Sequence, residues 1–200
     1  MNEHGVKRPV MATKLYVPRL RRGLVARPRL LRRMEGGADA RLTLVSAPAG
    51  FGKTTVLAAW LHEVSAVGRC SAWLSLDATD NDPASFWTYV VTALQSAVPG
   101  VGERALELLA SSPVPTELVL TTLLNELATT SGELWVVLDD YHLVDNQEVN
   151  VGVAFLLEHL PAQVHVVVST RADPDLPLAR WRARGEQLGH LVRRSPSSAP

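Results

Sequence analysis

Ala47-Pro48-Ala49-Gly50-Phe51-Gly52-Lys53-Thr54-Thr55 is the stretch whose reading decides the fold. A short β-type run, Leu42–Val45, leads into it. After it, Val56, Leu57, Trp60 and Leu61 recur at helical spacing within Thr54–Glu63. A strand, a glycine-rich turn ending in Gly-Lys-Thr and a helix form the Walker A arrangement. Ala47 stands where that pattern's first glycine usually does. Gly50 and Gly52 let the backbone curl tightly, so that successive N–H groups converge on phosphate oxygens. The helix opening near Lys53 adds its positive N-terminal end. In this setting Ala47, Pro48, Ala49, Gly50, Phe51 and Gly52 form the cradle. Lys53 reaches the β- and γ-phosphates, Thr54 gives its hydroxyl to Mg²⁺, and Thr55 faces the α-phosphate. A Gly-Lys-Thr tripeptide alone arises by chance; between a strand and an amphipathic helix it is specific.

A phosphate cradle of this kind needs an acid to fix magnesium. Leu134-Trp135-Val136-Val137-Leu138-Asp139-Asp140 supplies one. Its continuous apolar run predicts a strand buried on both faces. Asp139 then falls at the C-terminal end of the strand, where ligands bind in open α/β sheets. Asp139 is the candidate magnesium partner, and Asp140 the candidate base for an attacking water. Two adjacent acids also occur as a plain turn or helix cap. A third apolar run, Val164–Val168, ends in Ser169-Thr170-Arg171. Arg171 lies near the γ-phosphate if this strand sits between the other two; otherwise it is a surface arginine at a strand end.

The remaining elements alternate. Ser71–Leu76 reads as a strand, Asp77–Pro83 as turn, and Ser85–Ser96 as a helix with Ser85 as a possible cap. Glu103–Ala110, Thr116–Leu127, Asn146–Leu160 and Leu176–Arg184 read as helices, as does Arg29–Met34. Leu188–Val192 reads as a last strand. Strands alternating with helices predict a mostly parallel sheet covered on both faces. Trp73, Phe86, Trp87 and Tyr89 read as core, and His62, His142, His159 and His165 as structural, with no metal-ligand spacing among them.

Composition bounds the classes. The 200 residues are 46% hydrophobic, with net charge zero and one cysteine, Cys70. One cysteine excludes an internal disulfide and a cysteine-based metal site. No run approaches the ~20 apolar residues of a membrane span, and the basic N-terminus lacks a signal peptide's apolar segment. These features fit a cytoplasmic location. Charge is uneven: ten Lys/Arg and no acid from Lys7 to Arg33, then fourteen acids against three bases from Leu42 to Thr170. The basic stretch fits either a solvated arm or an anionic partner.

Several stretches together resemble a known family. Thr13-Lys14-Leu15 with Pro18, and Val25-Ala26-Arg27-Pro28-Arg29-Leu30, are similar to the start of the large ATP-binding LuxR-type regulators, the MalT-like members of the STAND class. Ser46–Thr55, Ala72–Asp77 with Asp80–Pro83, Leu138–His142, Ser169–Pro174, Leu176–Arg180 and Arg182–Gly185 follow in the family's order. The resemblance covers roughly residues 13–188. It implies an α/β P-loop three-layer sandwich of additional-strand (ASCE, AAA-like) order, with the Arg171 strand between the other two. It places Val25 and Arg27 on the adenine side and implies ATP/ADP with Mg²⁺ as cofactors. The nucleotide acts as a switch in such proteins, the ATP state permitting self-association and transcription activation. On this basis residues 1–24 are a basic arm, 25–192 a NOD/NACHT-like ATPase domain, and 193–200 a polar tail. The family's winged-helix, superhelical and helix-turn-helix domains do not fit after residue 188, so specific DNA binding by this chain is not expected. The expectation is a regulatory switch module with slow or no hydrolysis. Two other readings remain: a metabolic P-loop kinase with Arg180, Arg182 and Arg184 as a lid, and a non-functional fragment.

Overall fold

The computed structural model describes residues 10–20, 34, 40–111, 114–183 and 188–192. Among the described residues five strands form one sheet: β1 (Leu42–Ser46), β2 (Cys70–Ser75), β3 (Leu134–Asp139), β4 (Val164–Thr170) and β5 (Leu188–Val192). Their order is β2-β3-β4-β1-β5, and every pairing is parallel. The strand that ends next to Arg171 therefore lies between the strand leading into the glycine-rich loop and the strand carrying Asp139. This is the inserted-strand order of a P-loop ATPase.

Six helices described in the chain supply the crossovers: α1 (Lys53–Ala66), α2 (Pro83–Ala97), α3 (Glu103–Ala110), α4 (Thr116–Ala128), α5 (Gln147–His159) and α6 (Leu178–Ala183). Side chains of a strand alternate between faces, and the core divides accordingly. Val45, Trp73, Trp135, Val137 and Val167 pack under Leu57, Trp60, Leu61 and Val64 of α1, with Met34 beside them. Leu44, Leu74, Val136, Leu138, Val166 and Val168 face the other way, into the apolar sides of α2, α4 and α5. Both faces of the central strands are covered, and this accounts for the unbroken apolar runs in β3 and β4.

Element ends differ in instructive ways. Helix α2 opens two residues earlier than Ser85: Pro83 occupies its first turn, and the Asp82 carboxylate accepts the Ser85 N–H. Asp82 is thus the cap and Ser85 only its partner, because proline suits the first helical position where no N–H is needed. The segment after β2 is a 3₁₀ turn, Ala78–Asn81, opened by a reciprocal capping box between Asp77 and Asp80. Asn146 caps α5 by accepting the Glu148 and Val149 N–H groups. Of the helix expected over Arg29–Met34, only Met34 is described, and it is helical. The Arg180–Arg184 cluster begins on α6, whose Leu178 and Trp181 are buried. Trp181 donates its indole N–H to Glu158 of α5, and Arg180 pairs with the same carboxylate. That helix end is therefore tied to the body of the domain.

Candidate functional site

The parallel sheet points the C-terminal ends of β1, β3 and β4 to one edge, and the candidate residues gather there. Residue Ala47 continues the ladder beyond β1, its N–H donating to Thr170 O at 3.3 Å. Beyond it Pro48, Ala49 and Gly50 are exposed, while Phe51 to Thr55 are half-buried. Gly50 and Gly52 have φ of +77° and +74°, a region that side-chain-bearing residues rarely enter. A Cβ built on Gly50 would meet nothing within 4 Å, so the positive φ and not crowding is what favours glycine there. Among the described residues the only non-glycine with positive φ is Asp140. Ala47 therefore lies in ordinary backbone, and replacing glycine there with alanine demands no special conformation.

Lys53 begins α1. Its Nζ donates to Ala47 O at 2.8 Å and to Pro48 O at 3.4 Å. The ammonium curls back over the loop and rests on its carbonyls. One residue on, the Thr54 hydroxyl donates to Asp139 Oδ2 at 2.8 Å. Residues 85 positions apart are thereby joined across the sheet. Asp139 is 3% exposed. Burial pushes its carboxyl up from the usual carboxylate range; the Ser169 and Thr54 hydroxyls oppose this, and the neighbouring Asp140 charge adds to it. Asp139 Oδ1 and the Ser169 hydroxyl are both buried and lack a hydrogen bond of good geometry. A buried carboxylate oxygen without a partner is costly, and a divalent cation beside it would satisfy that oxygen. The donor set is hard oxygen, as Mg²⁺ prefers. Among the described residues no three His, Cys, Asp or Glu cluster as metal ligands. A cation here would therefore rest on Thr54, Asp139 and phosphate oxygens, the usual sparse protein share for Mg²⁺.

Asp140 has φ 58° and ψ 37°. Left-handed backbone at a non-glycine residue is a local strain often found at functional positions. The conformation turns the chain sharply after β3 and starts a short 3₁₀ turn, Tyr141–Leu143. Arg171 follows β4 directly and is exposed. His142 was not distinguished by sequence spacing, yet it stands at this edge. Its Nδ1 lies 3.8 Å from Asp140 Oδ1, and neither ring nitrogen has a hydrogen-bond partner. Burial holds its pKa below the usual histidine value, helped by the charges of Arg171 and Lys53 and opposed by Asp140 and Asp139. No periodic or spacing signal marks such a residue; only the fold brings it beside Lys53 and Arg171. His165, by contrast, is structural: it stacks on Trp135 at 4.3 Å and contacts Ala40 O through Nδ1. Trp73, Phe86 and Trp87 are core. Val25 and Arg27 lie outside the described residues.

Sheet order and the loop geometry define an α/β P-loop NTPase fold. No family model matches the chain. Its sequence is similar to that of MalT regulators. It is 36% identical over 181 residues to the HTH-type transcriptional regulator MalT of Yersinia enterocolitica serotype O:8, an alignment covering 90% of this chain and 20% of that protein. The MalT regulator of Yersinia pestis strain Pestoides F is 35% identical over the same extent. The chain thus spans about a fifth of the length of these relatives. Solved structures share the fold at low identity. The Orc1 protein of Aeropyrum pernix, determined in complex with DNA, matches 90% of this chain and 48% of its own, with a TM-score of 0.55 and 17% identity. Cdc6p of Pyrobaculum aerophilum matches 88% of this chain and 47% of its own, with a TM-score of 0.53 and 15% identity. Among the described residues no helix is long and apolar enough to cross a membrane.

Proposed function

We propose that this chain is the nucleotide-binding switch module of a LuxR-type, MalT-like transcriptional regulator of the STAND class, binding ATP and ADP with Mg²⁺ in the cytoplasm and hydrolysing ATP slowly if at all. The observation that carries this reading is the 2.8 Å bond from Thr54 to Asp139. It sets a magnesium-type hydroxyl and a buried carboxylate against one another at the mouth of the loop. A glycine-rich turn without this partner would bind phosphate only weakly.

In this reading residues 25–192 are the ATPase domain. The backbone of Ala47–Gly52 and the N-terminus of α1 hold the phosphates. Lys53 leaves the loop carbonyls to pair with the β- and γ-oxygens, and Thr55 supports the α-phosphate. Thr54 and Asp139 would hold Mg²⁺, which would supply positive charge against the phosphates. Arg171 faces the γ-phosphate end and distinguishes ATP from ADP by charge. Asp140 orients the attacking water. Val25 and Arg27 line the adenine side. In the longer regulators the ATP state favours self-association and transcription activation.

Calorimetric titration of ADP and ATP into the purified chain, with and without Mg²⁺, tests the reading. Binding with a dissociation constant on the order of micromolar is expected, tighter with magnesium. Absence of binding at about a thousandfold higher nucleotide would overturn it.

A further inference from the structure

We propose that Asn81 is a positioning residue: it hangs the loop from Asp140 to Asn146 on the turn after β2 and so fixes Asp140 and His142 at the γ-phosphate end of the site. This rests on the nucleotide-switch reading above. In the sheet order two strands, β3 and β4, separate β2 from β1. The end of β2 is tied to β3 by the Leu76 N–H, which donates to Asp139 O at 3.0 Å, and the turn that follows meets the loop after β3.

The turn itself is rigid. The Asp77 carboxylate accepts the Thr79 N–H, and Asp80 accepts the Asp77 N–H, both at 2.8 Å. Asp80 is fully buried, with both carboxylate oxygens 2.8 Å from Lys14 Nζ. Lys14 also lies 2.8 Å from Asp77 Oδ2 and 4.8 Å from the Tyr89 ring centroid. The buried charge is thus compensated, and the arm residue Lys14 nails the turn in place.

Asn81 projects from this rigid turn to the next loop. Its Nδ2 donates to Leu143 O at 3.0 Å, and its Oδ1 accepts the Asp145 N–H at 2.6 Å. Its own carbonyl accepts from Asn146 Nδ2 at 2.9 Å. A short side chain holding both a donor and an acceptor is required, which asparagine provides and aspartate does not. Asn146 in turn caps α5. At the loop's other end are left-handed Asp140 and buried Tyr141, whose hydroxyl donates to Asn150 at 2.7 Å. Between these anchors sits His142, its ring nitrogens lacking partners beside the charges of Lys53 and Arg171. The Asn81 bonds set how far this loop can move from that group.

The test is titration of fluorescent methylanthraniloyl-ATP and -ADP, with Mg²⁺, into wild type, Asn81→Ala and Asn81→Asp, together with amide hydrogen exchange of residues 140–146. Asn81→Ala is expected to weaken ATP by about fivefold or more while leaving ADP within about twofold. Exchange in the loop should rise. Asn81→Asp, which keeps the acceptor for Asp145, should fall between. Equal losses for both nucleotides, or no change in the ATP-to-ADP ratio with the loop exchanging faster, would show Asn81 to be scaffold and overturn the proposal. Should wild type bind neither nucleotide, the switch reading fails first and this assignment with it.

Discussion

The Thr54 hydroxyl and the Asp139 carboxylate meet at 2.8 Å, tying the first turn of α1 to the end of β3. This bond leaves Oδ1 of the same carboxylate buried without a hydrogen bond of good geometry, and in the proposed reading the pair would hold the cation. Replacing Asp139 with Ala or Asn removes the anionic half. The expected outcome is nucleotide binding that no longer tightens when Mg²⁺ is added, read by calorimetry at matched ionic strength. Thr54→Val keeps the side chain's shape but loses the hydroxyl, and should blunt the magnesium response in the same way. A full magnesium response in Asp139→Ala would assign the cation to other ligands.

Lys53 gives a second prediction. Its ammonium donates to Ala47 O and Pro48 O, contacts at the half-buried rim of the loop that add little to folding. A bond to a charged phosphate contributes about 1.5–3 kcal/mol, or roughly one to two decades of affinity. Lys53→Ala should therefore weaken ATP by about 10- to 100-fold with the melting temperature almost unchanged. Undiminished binding in this variant would remove the loop from the nucleotide site.

A third concerns pH. Asp77 is held well down, to about 2, chiefly by its bond to Lys14 and then by Thr79, against an ordinary value of 3.8. A depressed carboxyl stabilises the fold above its unfolded value and loses that contribution as pH falls toward the folded one. The Lys14 pKa moves up: burial acts to lower it, and the bonds to Asp77 and Asp80 outweigh burial. Its contribution is present below 10.5 and is lost above the folded value. The arm's anchorage should thus hold across neutral pH and weaken between about pH 4 and about pH 2. Asp77→Asn should flatten the acid limb of the melting-temperature profile over that interval. An unchanged limb would place the acid sensitivity elsewhere.

The central sheet and the loop were legible because they are written in local patterns. Apolar runs such as Leu134–Leu138 announce a strand buried on both faces, and an acid directly after one announces a strand end. Arg171 could be placed between the other strands only through the family resemblance, because strand order is not a local property. The Lys14–Asp80 pair spans 66 positions and the Asn81–Asp145 bond 64. Nothing in the spacing of either marks a partner, so Asp77 and the turn after it had no assignable chemistry until the fold brought Lys14 against them. His142, read as structural, likewise carries no spacing signal for its place at the candidate site. The Ser85 reading failed on a local competition, since Asp82 with Pro83 outcompetes serine as a helix start.

The last prediction isolates packing from chemistry. Gly152 lies within α5, buried against Trp87. A Cβ there would stand 2.7 Å from Trp87 Cζ2 and 3.3 Å from its Nε1. The ring is itself fixed, 1% exposed and edge-on to Phe86 at 5.0 Å. Alanine is favoured over glycine within a helix by about 1 kcal/mol, whereas overpacking a core costs about 1–3 kcal/mol. A rigid indole offers little room to relax, so overpacking wins. Gly152→Ala should lose up to about 2 kcal/mol in urea unfolding, opposite in sign to the helix-propensity expectation. Trp87→Phe removes the atoms that clash while opening space of its own. The double variant should therefore be more stable than the sum of the single losses predicts, by about 0.5 kcal/mol or more. Strict additivity would mean that the helix shifts as a body and that glycine at this position serves something other than the approach of Trp87.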